Sequence, residues 1–391
     1  MQEKTEHLLR ALLTKEVERG NTAGVSLLVR RDGKEEFFDV QGYANLEKRE
    51  KLRRDHIFRI YSMTKPVTAV AAMILAERGE LDLNMPVAEV LPGFRNLTVR
   101  EGNGTVPAKR PITVLQLMNM TSGLTYGEGD SPDDRAIRLW LEQCGRRLHT
   151  DEALTTREFA DSLGRFPLAF HPDEGWCYGF SADVLGAVIE AACGTRLGEF
   201  LENELFRPLK MNDTGFWIPD EKYSRFAAAY EPLGNGELKR YCGEYLLISG
   251  RMDCSPRFES GGAGLVSTID DYARFAQMLL NRGVLEGERI LSPRSADYLL
   301  SGSLTAAQQQ GLRDFGGHEG YTYSHLFRRL TEPGQACLLG QQGEYGWAGW
   351  LRCYFANLPA SNAAILLMQQ RKGPETVSLA RRVRNILSAE F

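Results

Sequence analysis

A serine stands three residues before a lysine in Ser62-Met63-Thr64-Lys65, at the head of a stretch that is apolar almost all the way round. Residues three apart share one face of a helix, so the Ser62 hydroxyl and the Lys65 amine can touch. Burial disfavours an ammonium, which is how a lysine comes to act as a base near neutral pH. Such a pair is what a serine nucleophile requires when no histidine serves it. A helix-capping serine followed by a solvated lysine spells the same four letters, so the motif by itself does not decide between the two.

Two further stretches could carry chemistry. Tyr178 lies in Trp176-Cys177-Tyr178-Gly179-Phe180-Ser181, just before a helix that Ser181 is placed to cap. A helix N-terminus favours negative charge on a nearby oxygen, although packing against Trp176 and Phe180 would also explain the tyrosine. The third stretch, Gly343-Glu344-Tyr345-Gly346-Trp347-Ala348-Gly349-Trp350, comes immediately before an expected strand. Its glycines allow a close backbone approach, and a strand edge beside a nucleophile can offer an N–H to a developing oxyanion. A hairpin loop with two surface tryptophans is the plainer alternative.

Taken together and in order, Ser62-Met63-Thr64-Lys65, Tyr178 and Trp347-Ala348-Gly349 resemble the three motifs of the serine β-lactamase and penicillin-binding-protein superfamily. The chain looks closest to the class C β-lactamases and the family VIII carboxylesterases. Met120-Thr121-Ser122-Gly123-Leu124 and Gly261-Gly262-Ala263-Gly264-Leu265 agree in order and spacing, and the resemblance runs over about residues 20–370. It implies acyl transfer in two steps. Ser62 would form the acyl-enzyme, Lys65 and Tyr178 would share the proton transfers, and the N–H groups of Ser62 and Trp350 would hold the oxyanion. No metal or organic cofactor is implied.

Two departures bear on substrate. β-Lactamases usually carry a lysine where Trp347 stands and an asparagine where Phe180 stands. Both changes remove polar anchors, so the resemblance implies a carboxylesterase for small or medium uncharged esters. A β-lactamase, a D-amino-acid peptidase or amidase, and an acyltransferase are the enzymatic alternatives. A relative that is acylated by a ligand without turnover is the non-enzymatic one.

The elements that must position these groups follow from pattern. Residues 66–76, PVTAVAAMILA, form an expected buried helix, with Pro66 tolerated only in its first turn and Gly79 suited to its end. Residues 24–31 and 34–41 read as a hairpin around Asp32-Gly33. Residues 350–355 and 363–369 read as two more strands, and residues 375–389 as a last amphipathic helix. Strands at both ends of the chain imply an α+β fold, one antiparallel sheet flanked by helices. Residues 1–80 and 255–391 would form this discontinuous sheet domain. Residues 81–254, with helices expected at 113–120, 136–144, 156–163, 182–192 and 197–205, would form a mostly helical one. The active site would lie in the cleft between them. The segment 302–343 has weak periodicity and no assigned elements.

Composition excludes several classes. A net charge of −4, with no basic run, argues against nucleic acid or an anionic membrane as partner, and the resemblance implies a small-molecule ester or amide substrate. The longest apolar runs are too short to span a bilayer. The amphipathic N-terminus does not resemble a signal peptide, so a cytoplasmic protein is expected. Seven scattered cysteines with no C-x-x-C pair suggest neither a zinc site nor a disulfide framework. No G-x-S-x-G, H-E-x-x-H or G-K-[ST] occurs, and His56, His171, His318 and His325 are expected in bland roles.

Overall fold

The computed structural model describes residues 1–102, 104–373 and 378–391. Helix α1 (Glu3–Glu18) leads into strands β1 (Gly24–Arg31), β2 (Lys34–Asn45) and β3 (Glu50–Lys51). Asp32 and Gly33, both at positive φ (51° and 74°), make the tight turn between β1 and β2. The buried helix α2 (Thr64–Glu77) follows, and Gly79 at φ 71° ends it. Later elements used below are α3 (Ser181–Cys193), α4 (Ile269–Leu280), α5 (Ala306–Phe315), β4 (Tyr321–Ser324), β5 (Phe327–Leu330), β6 (Tyr345–Ala348), β7 (Tyr354–Leu358), β8 (Ala363–Gln369) and α6 (Leu379–Leu387).

One eight-stranded antiparallel sheet runs β4-β5-β6-β7-β8-β1-β2-β3. Its centre joins the two ends of the chain, with Val25 opposite Gln369 and Val29 opposite Ile365. The side-chain period of two decides which layer each residue enters. Ala363, Ile365 and Leu367 pack with Leu9, Leu13 and Val383 under α1 and α6. Ala364, Leu366 and Met368 face the other way, into the large core around α2 and α4. Because both faces are covered, β8 is buried throughout and reads as a continuous apolar run.

Several expected boundaries shift. Residues 350–353 are a turn rather than the start of a strand, closed by Gly349 N–H on the Cys353 carbonyl at 2.7 Å. The Trp347 stretch is itself a strand, β6. The first residues expected in the last helix, 375–377, fall outside the described residues. The unassigned segment 302–343 holds α5, β4 and β5 and completes one edge of the sheet. Among the described residues, no helix is long and apolar enough to cross a membrane.

Candidate active site

Ser62 sits in a single 3-10 turn, Tyr61–Met63, that feeds directly into α2. The residue before it, Tyr61, is 1% exposed and adopts φ 43°. A bulky side chain in the left-handed region is strained, and surrounding packing must hold it there. Trp350 provides part of that packing, its ring centroid 5.3 Å from that of Tyr61.

Lys65, one helical turn on, is completely buried, and its amine nitrogen has three hydrogen-bonding partners. Its Nζ lies 3.3 Å from Ser62 Oγ, 2.8 Å from the Gly262 carbonyl and 3.1 Å from the Tyr126 hydroxyl. The Gly262 carbonyl is held from behind by Asp183, whose Oδ1 accepts the Gly262 N–H at 3.2 Å and the Ser260 hydroxyl. A Cβ at Gly262 would come within 2.6 Å of that carboxylate, so the close approach requires glycine. Burial pushes the Asp183 carboxyl up, against the pull of the nearby Lys65 charge.

Tyr178 reaches the same place from the loop ahead of α3. Its ring centroid lies 4.5 Å from Lys65 Nζ, and its hydroxyl accepts a 3.0 Å hydrogen bond from Trp347 Nε1. Trp347 is packed against Tyr323, and the His318 ring stacks on it at 5.4 Å and 27°. Burial, reinforced by the positive charge of Arg328, pushes His318 down to about 4. Gly349 abuts the backbone before the nucleophile: a Cβ there would sit 2.3 Å from the Ile60 carbonyl oxygen. The Trp350 ring is stacked on Tyr245 at 4.3 Å and 13°.

Ser62, Tyr178, Trp347, Gly349 and Trp350 thus line one cleft of about 630 Å³, and Lys65 lies beneath its floor. Phe180 does not join them. It is 1% exposed, turned inward against Phe159 and the back of Tyr126, so the substrate-facing place expected for it is corrected to a core position. Ser181 does not cap α3 either; its hydroxyl pairs with that of Ser122 at 2.8 Å.

Tyr126 is the residue that sequence reasoning missed. It lies two positions beyond the Met120–Leu124 landmark, in a loop with no periodicity to mark it. His318, expected in a bland role, lies in the cleft wall together with Phe315 from the unassigned segment. Among the described residues, no group of three or more His, Cys, Asp or Glu side chains could hold a metal ion.

The sequence and the fold are similar to those of known proteins. Esterase EstB of Burkholderia gladioli is 29% identical over 398 residues, covering 95% of this chain and 93% of that one. The solved structure of EstCE1, described as a hydrolase with promiscuous acyltransferase activity, superposes with a TM-score of 0.81 at 22% identity, over 99% of this chain and 98% of that one. A class C β-lactamase superposes with a TM-score of 0.72 at 16% identity, over 99% and 96%. The β-lactamase family model matches residues 9–389, and the chain belongs to the β-lactamase family.

Proposed function

We propose that this protein is a serine hydrolase that cleaves carboxylic esters through an acyl-enzyme. The observation that carries the reading is the contact of Lys65 Nζ with Ser62 Oγ, with the Gly262 carbonyl and the Tyr126 hydroxyl as the other partners of the amine. With its amine in the neutral form, Lys65 takes the Ser62 proton as the hydroxyl oxygen attacks the ester carbonyl. The N–H groups of Ser62 and Trp350 stabilise the oxyanion, brought together where Gly349 meets Ile60. When the ester C–O bond breaks, Lys65 and Tyr178 return the proton to the departing alkoxide. Water then attacks the acyl-enzyme by the same route and releases the acid.

Esters rank ahead of β-lactams because Trp347 offers no cation beside the nucleophile and instead fixes the Tyr178 hydroxyl. The esterase activity named for EstB supports the same ranking. An alcohol could replace water in the second step with no change in chemistry, and the acyltransferase activity named for EstCE1 favours including that reaction. The test is a panel of para-nitrophenyl esters and a chromogenic cephalosporin, assayed with wild type and Ser62→Ala. Ester turnover lost in Ser62→Ala supports the assignment; turnover retained in that variant sinks it. A stable acyl adduct by intact mass, without turnover, would instead favour the ligand-binding alternative.

A further inference from the structure

His318 stands where the aromatic residues around Tyr178 meet. Its ring packs on Trp347 at 5.4 Å and on Phe315 at 5.5 Å. Both of those rings pack in turn on Tyr178, Phe315 at 4.6 Å and Trp347 at 5.5 Å. All four residues line the same cavity as Ser62. The turn that delivers the imidazole is Gly316-Gly317, at φ 85° and 69°, a backbone region that favours glycine.

The same turn fixes the tautomer. His318 Nδ1 lies 2.6 Å from the Gly316 carbonyl oxygen, which can only accept, so Nδ1 carries the proton. Burial and the Arg328 charge, against weaker pulls from Gly316 and Glu319, keep the ring neutral, so it has one proton and no more. Nε2 is therefore a lone-pair acceptor, and it has no hydrogen-bond partner among the described residues. His56, by contrast, has contacts at both ring nitrogens, with Arg53 and Glu50. Once a substrate fills the cleft and displaces water, an acceptor left without a donor costs free energy, and an alkyl chain supplies no donor. An ether oxygen would set a second lone pair against the first.

We infer that His318 Nε2 accepts a hydrogen bond from a hydroxyl group on the alcohol portion of the ester, so that the substrates are monoesters of diols or polyols. This rests on the hydrolase reading and refines it. Tyr178 returns the proton to the departing alkoxide, and the group that leaves past Tyr178 lies beside the two rings that carry His318. The apolar surroundings expected from Trp347 apply at the ester bond, and the hydroxyl is read further along the alcohol. In acyl transfer the same contact selects a diol over a simple alcohol as the acceptor.

The test follows acid release in a pH-stat from matched acetates of alcohols from ethylene glycol to hexanediol. At each length the ω-hydroxyalkyl acetate is compared with its ω-methoxy ether and with the plain alkyl acetate. With wild-type protein the hydroxyl ester should exceed both matches in kcat/KM by about three- to tenfold at one or more lengths, the size of a neutral hydrogen bond. In His318→Phe, which keeps a ring against Trp347 and removes the acceptor, the hydroxyl-to-methoxy ratio should fall to about one. The ratio is read rather than the rate, because a residue that only supports Trp347 would slow all three esters together. On the acyl side, para-nitrophenyl ω-hydroxyhexanoate should show no such gain over para-nitrophenyl hexanoate. No preference at any length in wild type, which needs no variant to fold, overturns the inference. So does a preference that survives in His318→Phe, or one confined to the acyl-side pair. None of these results touches the hydrolase reading, which fails only if Ser62→Ala still turns over the plain esters.

Discussion

The Lys65 amine donates to the Tyr126 hydroxyl at 3.1 Å, and Tyr126 lines the same cleft as Ser62. Tyr126 is buried, and burial pushes its phenol well above the ordinary range, so it stays protonated and serves as a fixed neutral partner. Tyr126→Phe keeps the ring and its edge-on contact with Phe180 at 4.7 Å but removes the oxygen. Loss of one hydrogen bond to a charged group corresponds to roughly a ten- to hundredfold effect. We expect a fall of that size in kcat for a short-chain ester, with KM within about twofold. Lys65→Ala should lose more, on the order of a hundredfold or beyond. Steady-state kinetics of both variants decide it, and a Tyr126→Phe enzyme with wild-type kcat would show that the phenol has no part in positioning the amine.

Trp347 is expected to act on Tyr178 through its indole N–H rather than through bulk alone. Trp347→Phe preserves an aromatic ring between His318 and Tyr323 while deleting the 3.0 Å donor to Tyr178. With that hydroxyl free to turn, kcat/KM should fall about tenfold for esters with good and poor leaving groups alike in binding, and further for the poor one, which depends more on proton return. Comparing a para-nitrophenyl ester with an alkyl ester measures this. Equal losses on both would place the effect of Trp347 in binding rather than in proton transfer.

Much of this was readable in the chain, and the exceptions have physical reasons. The buried helix, the Asp32-Gly33 hairpin and the joining of both chain ends into one sheet all follow from local patterns, because periodicity and turn chemistry are local. Ser62, Lys65 and Tyr178 were readable because three short motifs recur in order. Tyr126 was not, since its partner Lys65 lies sixty-one residues away and nothing in a loop records a distant contact. Phe180 was misplaced because the resemblance set it where β-lactamases carry a substrate-binding asparagine, but at the helix entry its ring turns inward to Phe159. The segment 302–343 stayed unassigned because its strands are only four residues each and sit at the sheet edge, too short to show alternation.

The residue pair that carries the proposed oxyanion donors is also braced by aromatic contacts that can be tested. Trp350 is stacked on Tyr245 and packs at a tilt against Tyr61, the strained residue directly before Ser62. Tyr245→Ala removes the stack and releases both neighbours, so kcat should fall roughly tenfold. Tyr245→Phe keeps the ring and loses only the hydroxyl contact with Glu128, and it should recover most of the rate. If the phenylalanine variant is as slow as the alanine one, the bond to Glu128 matters and the stack does not.

Away from the cleft, Asp271 on α4 sets a pH dependence of stability. Its Oδ2 accepts the Asp213 N–H at 2.7 Å and the Thr214 hydroxyl at 2.9 Å, yet burial outweighs these bonds and raises the carboxyl to about 6. A carboxyl whose folded value lies above its unfolded value favours the folded state while protonated. Its contribution is therefore full below about pH 4 and is lost as pH rises through about 6. A shift of this size corresponds to at most about 3 kcal/mol between those limits. Asp271→Asn carries a neutral side chain that can still present one oxygen to Asp213 and Thr214. Relative to wild type, its Tm should therefore improve between pH 4.5 and pH 8, by several degrees. Thermal unfolding of both proteins at the two pH values cancels the titration of every other carboxylate in the comparison. A difference in Tm that stays constant, or moves against the variant as pH rises, would mean that Asp271 is already ionised at low pH and that its hydrogen bonds outweigh its burial.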